Sequence, residues 1–184
     1  MATTRDPENL QLGPGWLYSA NVGTTAPTDL VSAWPAGWVQ MGWTREGHTF
    51  SYNVTMEGVE VAEELDPVLY AASRREMSVA FDLAELTGPN ITKAFAAAAS
   101  AVTVSGAVAS FEPPDLGAEV RRMLGWQSQD GSERIVWRKC MQAGQIDIKR
   151  MKAPAYASLP GTFRLEAPGG GVKPFIWLFD SVRA

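Results

Sequence analysis

One cysteine and one histidine stand in 184 residues, and that scarcity removes whole classes of chemistry. Cys140 has no partner within the chain, so no intrachain disulfide can form and nothing calls for an oxidising compartment. It follows Arg138 and Lys139, whose charge would favour a thiolate, but with no histidine nearby it reads as a half-buried strand residue. One Cys and one His do not make a structural zinc site. A Ser-His-Asp arrangement would have to use His48 with Ser51 or another serine, and no serine lies in Gly-x-Ser-x-Gly. His48 itself sits in Arg45-Glu46-Gly47-His48, which reads as a solvated turn. Asp-x-Asp-x-Asp-Gly is absent, so Glu57, Glu60, Glu63 and Glu64 read as a solvated acidic strip, not a cation loop. No cofactor and no metal are expected, and an enzyme is the weakest reading.

Runs of one kind are missing as well. The net charge is −4 and the pI about 5.1, with no Lys/Arg-rich run, so an affinity built on neutralising phosphates is not expected. Residues 1–10 are polar and charged, unlike a signal peptide. The longest strongly apolar run, Phe175–Phe179, is far too short to cross a membrane. The expectation is a protein made and used in the cytoplasm, or handed on from there as part of an assembly.

What the chain does have is aromatic bulk and punctuation. Seven Trp and seven Phe suit cores and interfaces, and 17 Gly with 12 Pro separate the patterned runs as in an all-β chain. Residues 1–13 read as a flexible arm and residues 14–184 as a single domain. Strands are expected at residues 15–22 and 38–43, with a long loop over residues 23–37 between them. The clearest strand covers residues 49–57. Phe50, Tyr52, Val54 and Met56 point one way, and Thr49, Ser51, Asn53, Thr55 and Glu57 the other. Gly58 marks a bulge or tight bend, Val59 and Val61 continue the alternation, and Asp66-Pro67 breaks it. Alternation resumes at Met77, Val79, Phe81 and Leu83.

Thr87-Gly88-Pro89-Asn90 opens the one expected helix, over about residues 88–100, with Ile91, Ala94, Phe95 and Ala98 on one stripe. Val102 leaves it. Asp130-Gly131 between two apolar-rich runs signals a hairpin. Ile146 and Ile148, then Phe163 and Leu165, alternate with polar neighbours, and Phe175–Phe179 fits a central strand buried on both faces. Gly169, Gly170 and Gly171 form a turn, without the Lys-Ser/Thr of a phosphate cradle. A basic cluster at Arg121, Arg122, Arg134, Arg138, Lys139, Lys149, Arg150 and Lys152 has two readings. It either blunts sheet margins or meets the acidic first half of a neighbouring copy.

The middle third adds a resemblance. Glu57-Gly58-Val59-Glu60-Val61, Glu64-Leu65-Asp66-Pro67-Val68, Ala84-Glu85-Leu86-Thr87 and Asn90-Ile91-Thr92-Lys93-Ala94-Phe95 resemble the major tail tube proteins of long-tailed bacteriophages. The resemblance implies a β-sandwich or rolled β-barrel with one short flanking helix. It implies hexameric rings stacked into a hollow tube that conducts the genome. Its partners would be copies of itself, a tape measure protein, a tail terminator and passing double-stranded DNA held without specific binding, in the virion tail and away from any membrane. Thr49, Ser51, Asn53, Thr55, Glu57 and Glu60 would then face the lumen or a neighbour. Asp66, Pro67, Arg74 and Arg75, in a loop over residues 66–75, and Trp34 in the loop over residues 23–37, would serve ring stacking, ordering as rings meet. Alternatives are a tube subunit of a related secretion apparatus, another virion tail part, or a β-barrel that binds a small ligand or carbohydrate through Trp34, Trp38 and Trp43.

Overall fold

The computed structural model describes residues 13–150, 152–153 and 155–181, so the expected arm lies outside the described residues except for Gly13. The chain runs β1 (Gly15–Asn21), β2 (Val39–Gln40), β3 (Thr44–Val59), β4 (Leu69–Leu83) and helix α1 (Gly88–Ala94). A 3-10 turn (Ala99–Ala101), β5 (Val102–Ser105), β6 (Val108–Phe111), β7 (Arg122–Ser128), β8 (Glu133–Gln142), β9 (Leu159–Leu165) and β10 (Phe175–Phe179) follow. Eight strands form one antiparallel sheet in the order β2-β1-β7-β8-β9-β4-β3, with β10 paired to the first half of β8; β5 and β6 make a separate hairpin. The mainly-β class with one helix is as expected.

The order carries its own constraint. β2 and β3 end the sheet on opposite sides, yet only residues 41–43 separate them. The sheet therefore has to curl until its two ends meet. Met41 N–H donates to Leu17 O of β1 (2.8 Å), and Ala84 N–H, just past β4, donates to Trp43 O (2.8 Å). The curl brings His48 of β3 against Trp126 of β7 (ring centroids 4.9 Å) and Trp137 of β8 (5.5 Å). Inside the roll, Leu17, Val79, Leu83, Leu124, Trp137 and Phe163 are buried.

A polar clasp holds the closing strap. Asn90, buried on α1, donates through Nδ2 to Met41 O (2.9 Å) and to Glu85 O (3.1 Å). The Glu85 carboxylate accepts from Trp43 N–H (3.2 Å). Gly42 between them has φ +83°, and a Cβ there would sit 2.8 Å from that carboxylate. Thr87 caps α1, its Oγ1 accepting from Asn90 N–H (3.4 Å).

Several expectations are corrected. The helix ends at Ala94, not near residue 100, because Ala96 takes φ 51°. Ala96 N–H bonds to Lys93 O and Ala97 N–H to Thr92 O, the paired bonds of a Schellman end with alanine in the glycine place. His48 is no solvated turn residue. It lies in β3, just past a bulge that opposes residues 45–47 to Asp82, and burial lowers its pKa from 6.5 to about 4. Cys140 is fully buried, and burial pushes its thiol up to about 12, opposite to activation by Arg138 and Lys139. The expected strand over residues 38–43 shrinks to Val39–Gln40, and residues 146–148 form no strand, although Ile146 and Ile148 pack on the core. β10 is a margin, not a central strand: it pairs only β8, and Trp177 and Phe179 are about half exposed. Past the helix, β5 and β6 form a short hairpin that the sequence reading did not anticipate.

Two outcomes follow from this packing. Asn90→Ala removes two donors and strands the Met41 carbonyl, so urea unfolding should show a loss of roughly 2–3 kcal/mol with little change in slope. For His48 the folded pKa lies below the unfolded one, so its contribution is fully present above about pH 6.5 and is lost as pH falls towards 4. With allowance for the partly exposed ring, the loss is roughly 1–2 kcal/mol, and His48→Phe should flatten the stability profile across that window.

Candidate assembly surface

The longest continuous pairing in the molecule is β3 with β4, and only its base is supported. β9 pairs β4 from Ser78 to Leu83 and stops. Phe50 packs edge-on against Phe175 (5.2 Å) and lies 5.7 Å from Trp137, and Tyr52 reaches Phe175 at 6.5 Å. Past that point no strand among the described residues pairs either outer edge of the hairpin.

Register assigns its faces. Directly opposed residues of an antiparallel pair share a face. Phe50/Val79, Tyr52/Met77 and Val54/Arg75 make one face; Thr49/Ala80, Ser51/Ser78, Asn53/Glu76 and Thr55/Arg74 make the other. The extra residue Ser73 forms a bulge opposite the Thr55–Met56 step. The first face is apolar, but its outer half is bare: Tyr52 is 53%, Met56 51% and Tyr70 64% exposed. The alternation is as expected, and it leaves Tyr52 and Met56 exposed in the lone subunit.

The turn that closes the hairpin is compact. Val68 N–H donates to Val59 O (2.9 Å), and Pro67 lies so near Gly58 that a Cβ there would come within 2.9 Å. Gly58 is thus a site of close approach, and the bulge falls elsewhere. Glu60, Glu63, Glu64 and Asp66 are all exposed in this tip, with Leu65 fully exposed among them.

The expected site residues now have places. Thr49, Ser51, Asn53, Thr55 and Glu57 lie exposed along one side of β3, while Glu60 lies past its end. Asp66 and Pro67 lie in the tip. Arg74 and Arg75 are not loop residues: they sit within β4 on opposite faces, and Arg74 pairs with Glu76. Trp34 is half-buried in its own subunit. It stacks on Tyr18 (4.2 Å), lies beneath the Arg134 guanidinium (5.5 Å) and donates through Nε1 to Gln127 Oε1 (2.7 Å). Gly125 makes room for it, since a Cβ would fall 2.5 Å from the indole.

Residues 23–37 are therefore docked on the outer face of the sheet. Arg134, 2% exposed, pins them by donating to Asp29 O (2.9 Å) and Ser32 O (2.7 Å). The expected basic cluster disperses in the same way. Arg122 donates to Ala97 O (2.6 Å), and Arg121 and Lys139 flank Glu166 at 3.5 and 3.0 Å. Of the three tryptophans proposed as a ligand platform, Trp34 and Trp38 are packed against Tyr18 and each other, and Trp43 alone is widely exposed. Sequence reasoning missed the apolar tip and outer face. The signal was there in Val59, Val61, Leu65, Val68, Leu69 and Tyr70, set among acids.

Among the described residues no group of three or more His, Cys, Asp or Glu could hold a metal ion, and no helix is long and apolar enough to cross a membrane. No curated protein matches the chain. A family model described as phage tail tube protein matches residues 3–183, nearly the whole length. A rolled antiparallel sheet with one short helix and a half-unsupported hairpin thus goes with that match, and the chain belongs to the phage tail tube protein family.

Proposed function

We propose that copies of this chain close into hexameric rings and that the rings stack into a hollow tube guiding double-stranded DNA. As a member of a structural family the chain is a tail component of the virion. The ring, the lumen and the route of the DNA are what this reading adds. Assembly would take place in the host cytoplasm around a tape measure protein, with a tail terminator closing the end.

The observation that carries the reading is the outer half of the β3–β4 hairpin: two open edges, one bare apolar face, one polar face. Open edges invite pairing, and closing strands from several chains into one barrel removes them. The apolar face with Tyr52, Met56 and Tyr70 then covers a neighbour's body. The opposite face with Thr49, Ser51, Asn53, Thr55 and Glu57 turns to the lumen. Arg74 is paired there with Glu76, and Ser78 stands beside exposed Arg164 of β9. Two acids, Glu57 and Glu76, offset two arginines, Arg74 and Arg164, so the face is close to neutral. DNA held by few unpaired cations releases few counterions and slides.

Negative-stain imaging of concentrated protein should show rings or hollow tubes; a monomer at every concentration would end the reading. Ser51→Lys with Asn53→Lys should leave assembly intact yet make the tubes retain short duplex DNA at low salt. That retention should fall steeply between 50 and 200 mM salt, by roughly tenfold or more.

A further inference from the structure

On the far side of the molecule from the hairpin tip lies a cleft of about 330 Å³ between α1, β2 and the 3-10 turn, walled by Val39, Pro89, Ala99 and Val102. Two cations line it, Lys93 and Arg122. Lys93 is 7% exposed, and no hydrogen bond or ion pair joins its ammonium to a described residue. Arg122 spends one guanidinium nitrogen on Ala97 O, but its Nε is buried with no partner. Burial and the nearby Arg122 both push the Lys93 pKa down, as for a cation lacking its counter-charge. Glu85 borders the neighbouring hollow but is occupied by Trp43 N–H. Two partly desolvated cations side by side are costly without an anion, and a carboxylate delivered from outside would offset that cost.

We infer that this cleft receives the acidic hairpin tip of a second copy, with a tip carboxylate between Lys93 and Arg122 and Leu65 against the apolar wall. The inference rests on the tube reading and names one of its contacts. Charge and apolarity both match: Glu60, Glu63, Glu64 and Asp66 surround fully exposed Leu65 at the tip. Geometry rules out the chain's own tip. β4 spans 15 residues from tip to base, roughly 45 Å at strand rise, and the cleft lies beyond the base. Donor and acceptor at opposite ends make a head-to-tail contact, which repeats as a ring or a filament rather than closing as a pair.

The test couples amines to carboxylates with a zero-length carbodiimide in tubes assembled from a mixture of light and heavy-isotope chains. Mapped peptides should join Lys93 of one copy to Glu60, Glu63, Glu64 or Asp66 of another. Lys93→Met, which keeps an apolar stem, and the tip variant Glu60→Gln/Glu63→Gln/Glu64→Gln/Asp66→Asn should each raise the concentration needed for assembly by roughly tenfold. Combined, they should do little more than either alone. Cross-links from Lys93 only to Asp6, Glu8 or its own chain would overturn the inference, as would assembly indifferent to the tip variant. If Lys93→Met fails to fold, the cross-links and the tip variant still decide. Wild-type protein that forms tubes, with the variants assembling as readily, refutes this contact alone; wild-type protein that never assembles refutes the tube reading with it.

Discussion

Closure of the roll at residues 41–43 is the constraint on which the rest depends. The strap has to satisfy β1 on one side and the end of β4 on the other within three residues. No strand pairing is available for so short a piece, so side chains finish the work. Asn90 supplies two donors from α1, and Glu85 supplies the acceptor for Trp43 N–H. This gives Glu85, Thr87 and Asn90, the polar residues of the family-like middle segment, a physical reason for their spacing. Thr87 starts the helix, Asn90 sits one turn in to reach the strap, and Glu85 precedes the cap to meet it from below. With the strap fixed, β3 enters over the core, and His48 and Phe50 can pack on the indoles of β7 and β8.

A firmly seated base is what lets the outer hairpin stand without support. A two-stranded ribbon alone is marginal in water. Here it is tied to the body through Ser78–Leu83, and Phe50 and Tyr52 of β3 meet Val79 and Met77 across the pair. Its bare apolar residues explain why it would not stay solitary. Each large side chain is worth roughly 1.5–3 kcal/mol when fully buried, and half of that is already recovered on the ribbon. Tyr52, Met56 and Tyr70 together therefore offer only a few kcal/mol, against an association cost of about 4–15 kcal/mol. Apolar burial alone does not decide assembly. Edge pairing and charge have to contribute, and specificity comes from them.

Alternation made β3 and the core half of β4 legible, because a period of two survives tertiary context when one face is buried. The Asp130-Gly131 hairpin was legible for the same local reason, positive φ at Gly131. What escaped was set by contacts distant in sequence. The alanine run promised helix to residue 100, but Val120 N–H captures Ala96 O and holds that residue in the left-handed region. His48 looked like a turn residue because the bulge over residues 45–47 mimics one, and only the curl of the sheet brings Trp126 and Trp137 to it. Arg74 and Arg75 read as loop because polar residues hid the outer half of β4, a stretch without a buried face. Trp34 read as a stacking contact because Gly125 and Gln127, which seat its ring, lie far from it in sequence.

Several of the chain's 16 Lys and Arg are held by partners within the chain. Arg134 is spent inside, holding two loop carbonyls, and Arg121 and Lys139 share Glu166. Arg74 is neutralised by its strand neighbour Glu76 on the polar face. Each arrangement gives a cation a partner within the chain. A guanidinium suits this use, since its fork of donors can take two carbonyls at once and still stack on an indole, as Arg134 does over Trp34. The same logic sets Lys93 apart. It lies at the cleft between α1, β2 and the 3-10 turn, 7% exposed, with no hydrogen bond or ion pair to an acceptor among the described residues, and an anion from outside would offset the cost of that burial.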